Sequence, residues 1–245
     1  MTVAATLDAK ITPLDVSQVI SATIRTLGRR WLALLLIGLP FVCVPVVLSS
    51  FALPEDRAVA NLLANLPYLV FIGAATMIAY SDIRGEGLIG APAAIGAALR
   101  RFGSLFLVSF ISSLATVLGL VLLIAPGLVL CAIFSTGASA VMIEQMNSSH
   151  ALQRAWDLSR GSRWRLVALL AVAVTAFFVL ALALGLVVAL AEIAPGNIGA
   201  TFSAYVATPL MVLILLEITT VGSVAAYAGL RRAREGAGEL AGAFD

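Results

Sequence analysis

Long unbroken apolar runs separated by short polar stretches dominate the chain. They cover roughly Trp31 to Leu53, Leu62 to Tyr80, Ser104 to Ile124, Leu128 to Glu144, Leu166 to Ala191 and Phe202 to Leu230. Crossing a hydrocarbon layer of ~30 Å takes about 20 helical residues, so each run is read as one membrane span. The runs are continuous rather than alternating, and lipid offers no water to unpaired backbone groups, so the spans are helices. The last two exceed the minimum, which predicts tilt or an interfacial extension.

Shorter segments of mixed character precede the first, third and fifth runs. In the first, Val16, Ile20, Thr23, Ile24 and Leu27 recur at helical spacing while Asp15, Gln18, Ser21 and Arg25 face away; in the second, Ile95, Ala98, Leu99 and Phe102 oppose Arg100 and Arg101. In the third, Leu152, Ala155, Trp156 and Ser159 oppose Gln153, Arg154, Asp157 and Arg160, with Ser149 placed to cap the helix. Each is too short to span, and a helix with one oily and one basic face lies along the headgroup plane. "GRRW" at 28–31, "GSLF" at 103–106 and "RGSRW" at 160–164 follow these segments. A glycine can end one helix before the next begins, so the pattern predicts three elbows between lying flat and crossing.

Aligning Gly28 with Gly103 and Gly161 also superposes Trp31, Phe106 and Trp164, and Ala22, Ala97 and Ala155. The chain therefore reads as three parallel copies of an interfacial helix plus a transmembrane hairpin. The expected fold is an all-α integral membrane protein with six transmembrane and three amphipathic interfacial helices. It forms one polytopic domain over residues 1–235, with repeats near 13–80, 90–146 and 149–230 and a short flexible cytoplasmic tail over 236–245. "APG" at 125–127 is expected to form a tight hairpin turn between two spans.

Composition agrees with that picture. Hydrophobic residues make up 61% of the chain and charged residues 11%, where a soluble domain would carry about 25% charged residues. Of the 15 basic residues, 14 flank the runs on one side and only Arg57 falls on the other, which by the positive-inside bias puts both termini in the cytoplasm. The formal charge of +2 is spread along the chain, which excludes a nucleic-acid surface. The first 30 residues do not read as a cleavable signal, so the first span is expected to serve as an uncleaved anchor. Arg29, Arg30, Trp31, Arg100, Arg101, Arg154, Trp156, Arg160, Arg163, Trp164 and Arg165 are the residues expected at lipid headgroups. Anionic membrane lipids are thus the expected partner, each arginine contributing roughly 1 kcal/mol near such a surface.

Within the spans Glu217 stands out, 14 residues before Arg231 and hence ~21 Å from that end of its helix. A carboxylate at mid-membrane costs on the order of 2.5–3.5 kcal/mol, so it should face the bundle interior. Thr220 on the same span, with Ser112 and Ser135 on the third and fourth, completes a candidate intramembrane polar site. Two roles fit Glu217: a proton or substrate site, or a carboxyl bonded to a neighbouring helix's serine as structural glue. Glu144, Asp82 and Glu192 fall at span ends, as solvated or paired groups rather than catalytic ones. Cys43 and Cys131 lie inside spans as small apolar residues, and the lone histidine, His150, excludes a histidine-based metal cluster. No nucleotide-binding glycine loop, nucleophile elbow or paired aspartates occur, so neither a cofactor nor enzyme activity is expected.

One stretch carries a more specific pattern. "PGLVLCAIF", then Glu144, then "ALQRAWDLSRGSRW" resembles the membrane domain of glycerophosphoryl diester phosphodiesterases and its stand-alone bacterial relatives. The matching positions are Pro126, Gly127, Glu144, Ala151, Leu152, Arg154, Trp156, Leu158, Ser159, Gly161 and Trp164, while Ala155 stands where that family often has serine. The resemblance implies a module of the bacterial inner membrane concerned with envelope lipids or membrane integrity. The catalytic barrel that such modules sometimes carry has no counterpart here, so its activity does not follow. The expected function is a non-enzymatic inner-membrane protein that interacts with lipids in an accessory, structural or amphiphile-handling role. The alternative is a small proton-coupled transporter using Glu217.

Overall fold

The computed structural model describes residues 14–51, 57–85, 87, 89–122, 124–192 and 201–242. Lys10, the start of the first expected repeat and residues 243–245 of the expected tail lie outside them. Among the described residues every regular element is a helix. Six helical stretches are long and apolar enough to cross a membrane: Val16–Ser49, Asn65–Arg84, Phe102–Val121, Pro126–Ile143, Arg163–Val187 and Tyr205–Ala233. This is the architecture of a multi-pass membrane protein.

Helix α1, Val16–Gly38, is capped by Asp15, whose carboxylate accepts from the Ser17 backbone N–H and hydroxyl, each at 2.9 Å. It then runs through a π-helical stretch, Leu39–Cys43, into α2, Val44–Ser50. Pro40 and Pro45 cannot donate along the helix, and the wider π turn accommodates the missing bonds without ending it. The chain then forms α3 (Arg57–Arg84), α4 (Ala91–Arg100), α5 (Phe102–Leu122), α6 (Ile124–Phe134), α7 (Gly137–Ile143), α8 (Ser148–Ser159) and α9 (Arg163–Glu192). A second π stretch, Ser203–Ala207, leads into α10, Thr208–Gly242, which continues as helix through residues 236–242 of the expected tail. The Cys43 thiol donates to the Pro209 carbonyl at 3.7 Å, tying the first π stretch to the start of α10.

Helix α3 is the centre of the bundle. Within its span 56% of residues are buried, against 17% for α5 and 6% for α9, which leaves the apolar faces of those two to be covered by lipid. Phe71, Ala74, Ala75 and Ile78 of α3 pack in one core with Leu34 and Ile37 of α1, Leu105 and Val108 of α5, Val141 and Met142 of α7, and Val221, Val224 and Tyr227 of α10.

Three expectations need correction. The first elbow is absent: α1 passes through Gly28 and Trp31 without a break, and a Cβ at Gly28 would meet nothing within 4 Å, so this glycine neither ends a helix nor relieves a contact. In the second copy the chain turns at Arg101, two residues before Gly103, and only Gly161 adopts the left-handed backbone of an elbow, φ +87°. Short separate helices therefore precede only the third and fifth spans, as α4 and α8. The cap of α8 is Asn147 rather than Ser149. Pro126 and Gly127 lie within α6 rather than in a turn, and Gly127 instead presses against the α5 backbone, where an added Cβ would sit 2.5 Å from the Leu120 nitrogen.

Candidate functional site

Two regions gather polar groups. The first is the bundle end that carries the arginines. There α7 stops at Ile143, and Gln145 takes a left-handed φ of +55° that reverses the chain towards α8. The reversal brings Glu144 under Arg154, whose Nε donates to both carboxylate oxygens at 3.3 and 3.1 Å and whose Nη2 donates at 3.3 Å. The hydroxyl of Tyr227, a fully buried residue of α10, donates to the same carboxylate. Burial alone would lower the Arg154 pKa; the charge of Glu144 and its hydrogen bonds outweigh that and hold the guanidinium above its ordinary value. A parallel pairing joins α1 to α3, where Arg30 Nε meets Asp82 at 2.9 Å and the Thr26 hydroxyl donates to Asp82 at 3.2 Å.

Many arginines expected at headgroups are thereby turned to protein. Besides Arg30 and Arg154, Arg101 donates to Gln145 at 3.0 Å and Arg165 donates to the Leu14 carbonyl at 2.7 Å. Arg163 lies 4.4 Å over the ring of Trp156, its buried Nε without a hydrogen-bond partner, and Phe134 packs on that ring at 6.5 Å. For Arg101, Arg154 and Arg163 the physical reason is the docking of α8 on α5, α6 and α7, and for Arg30 and Arg165 it is the packing of α1 on α3 and α9; both put protein oxygens and rings within reach of these side chains. Arg160 is exposed and pairs with Asp157 at 3.5 Å. Arg29 and Arg100 are exposed, as are Trp31, 53%, and Trp164, 77%.

The second region is a cavity of about 710 Å³ between α3, α5, the α6–α7 pair and α10. Ser112, Ser135 and Thr220 line it, together with Thr76, Ser109, Ser113, Thr116, Ser139, Thr219 and Ser223. The α6–α7 span is broken beside it, at Ser135 and Thr136, where both hydroxyls donate back to carbonyls three residues earlier, at 2.9 and 2.8 Å. Such back-bonding competes with the helical ladder and bends it. Glu217 is not among the lining residues. Leu216, Thr219, Thr220 and Ser223 form one stripe of α10, and at 100° per residue Glu217 falls roughly a quarter turn away. It shares instead the flank of Leu213, which meets Gly38 of α1.

Tyr227, Gln145 and Thr76 escaped the sequence reading. Tyr227 carried a usable signal: a tyrosine one turn inside the end of an apolar run needs a partner for its hydroxyl. Glu144 and Arg154 face each other because the chain reverses between them, which their ten-residue separation does not reveal. Among the described residues no three His, Cys, Asp or Glu side chains converge as for a metal.

Compared with known protein families, with curated proteins and with solved structures, the chain matches none. The resemblance of residues 126–164 to the phosphodiesterase membrane domain rests on the motif positions alone.

Proposed function

We propose that this chain is a non-enzymatic, multi-pass protein of the bacterial inner membrane, both termini cytoplasmic, that interacts with anionic membrane lipids in an accessory, structural or amphiphile-handling role. The observation that carries this reading is the exposed set Arg29, Trp31, Arg100 and Trp164, arranged around the arginine-bearing end of a bundle whose outer helices are apolar. Tryptophan rings favour the depth of the headgroups, and unpaired guanidinium groups beside them attract phosphate. The motif shared with the phosphodiesterase membrane domain points the same way. The proton-coupled alternative has less support, because Glu217 is absent from the lining of the cavity.

The test uses four of the exposed arginines, Arg25, Arg29, Arg100 and Arg232. In native mass spectrometry from mixed phosphatidylglycerol and phosphatidylcholine, the wild-type chain retains phosphatidylglycerol preferentially. Replacing these four by glutamine weakens that retention about fivefold or more per pair of arginines, given roughly 1 kcal/mol each at full strength and less with screening. An unchanged preference would overturn the reading.

A further inference from the structure

Hydroxyl groups inside an apolar helix ordinarily satisfy themselves on a carbonyl of the preceding turn. Ser81, Ser135, Thr136, Thr219 and Ser223 all do so here, at 2.7 to 2.9 Å. Thr76 and Ser112 do not: their hydroxyl oxygens are buried without any hydrogen-bond partner, and Thr76 is only 1% exposed. Both line the cavity between α3, α5, α6–α7 and α10. An unpaired buried hydroxyl costs about 1–3 kcal/mol, so two of them in one cavity mark where an outside group completes the bonding.

The lining also restricts what that group is. Among the described residues that line it, none is Asp, Glu, Lys, Arg or His. A phosphate or ammonium there would sit in a low-dielectric site without a counter-ion, a state that ionised groups avoid. Apart from Asn65, Tyr68, Cys131 and the serines and threonines, the lining is apolar, and its volume of about 710 Å³ lies within the ~300–1,000 Å³ of small-molecule sites. Phe106, Phe110 and Val117 line it while also being exposed on the lipid-facing side of α5, which gives entry from the bilayer rather than from water.

We propose that this cavity binds an uncharged lipid bearing hydroxyl and ester groups, of the diacylglycerol type, with Thr76 and Ser112 hydrogen-bonding its polar part and its chains leaving past Phe106 and Phe110. The proposal rests on the lipid-interaction reading above and names a ligand class within it. The full chain is reconstituted in phosphatidylglycerol vesicles containing either a diazirine-bearing diacylglycerol or a phosphatidylglycerol with the same diazirine chain. After irradiation, mapping to single residues places the diacylglycerol label on cavity-lining positions beside Thr76 and Ser112, and the phosphatidylglycerol label on outward-facing residues of α5 and α9 such as Leu107, Leu114 and Phe178 but not on the cavity lining. The Thr76→Val, Ser112→Ala double variant keeps shape but removes both hydroxyls, and cavity labelling falls at least about fivefold. Equal labelling of the cavity by both wild-type probes, or no cavity labelling by either, overturns the proposal without reference to any variant, as does labelling indifferent to the double substitution in a variant of unchanged helicity. Anionic-lipid retention in the same preparation separates the two levels: if it persists while cavity labelling is absent, the inference alone fails, and if its preference is lost too, the broader reading fails with it.

Discussion

At the scale of single residues, the Glu144 carboxylate is the most consequential group at the arginine-bearing end. It is 9% exposed and receives donors from Arg154 on α8 and Tyr227 on α10, so it ties three elements that are distant in sequence. Glu144→Gln leaves the partly buried guanidinium without its counter-charge. Uncompensated buried charge costs about 3–5 kcal/mol, reduced to about 2 kcal/mol here because Arg154 is one-third exposed and water screens it. Tyr227→Phe removes one donor and costs about 1–2 kcal/mol. The expected result is a lower unfolding midpoint in detergent for each variant and a double variant milder than the sum, since both act on one carboxylate; strict additivity would contradict the network. Asp15 gives a pH signature at the other end of α1. Its hydrogen bonds from the Ser17 side chain and backbone hold its pKa below the ordinary carboxylate value. A depressed folded-state pKa means the cap's contribution is fully present above the unfolded value of about 3.9 and is lost as pH falls through the lower folded one. Hydrogen exchange of the Ser17 amide, corrected for intrinsic rates, is therefore protected at pH 6 and loses protection below pH 3, whereas Asp15→Ala lacks it at both.

At the scale of elements, the three aligned glycines separate what sequence periodicity can and cannot reveal. The six spans were legible because continuous apolar runs of sufficient length have few other uses. Where a helix ends depends on backbone dihedrals and neighbours, and glycine tolerates both outcomes: Gly28 sits within α1, while Gly161 turns the chain at φ +87°. Replacing each by alanine distinguishes them. Gly28→Ala is neutral or stabilising by up to about 1 kcal/mol, as expected in an exposed helix interior, and Gly161→Ala costs about 1–2 kcal/mol for the left-handed strain. Equal losses at both positions, measured as unfolding midpoints, would restore the elbow at Gly28. Gly127 has a third use that no local pattern indicates, since its lack of a Cβ lets α6 approach the α5 backbone. Gly127→Ala forces that pair apart and costs about 1–3 kcal/mol. The stripe of the first amphipathic segment also shifted phase: Val19 and Thr26 are buried and Ile24 is 65% exposed, because α10 packs against one flank of α1 that composition alone cannot select. The candidate intramembrane site divided for the same reason. Thr220 lines the cavity and Glu217 does not, a distinction of one helical quarter turn that spacing within one helix gives only once the neighbouring helices are placed.

At the scale of the whole molecule, the account depends on the apolar surface of α5 and α9 facing hydrocarbon, with the bundle end that carries Arg30, Arg84, Arg101, Arg154, Arg165 and Arg231 on one side of it. Phe110, Leu114, Phe178 and Leu182 are among the large residues left exposed, an arrangement stable only in lipid or detergent. Exposed arginines and tryptophans then sit at one headgroup layer, and the hydroxyl-lined cavity lies within the bilayer, reachable from its interior. Single-cysteine labelling with a membrane-impermeant maleimide tests this most directly. In a background with Cys43 and Cys131 replaced by alanine, cysteine is placed at exposed positions 100 and 150 on the arginine-bearing end and at exposed positions 51 and 201 on the other. The account predicts that intact spheroplasts label positions 51 and 201 alone and that inverted vesicles label 100 and 150 alone. Labelling of all four positions from the same side, or of 100 and 150 from opposite sides, would contradict it.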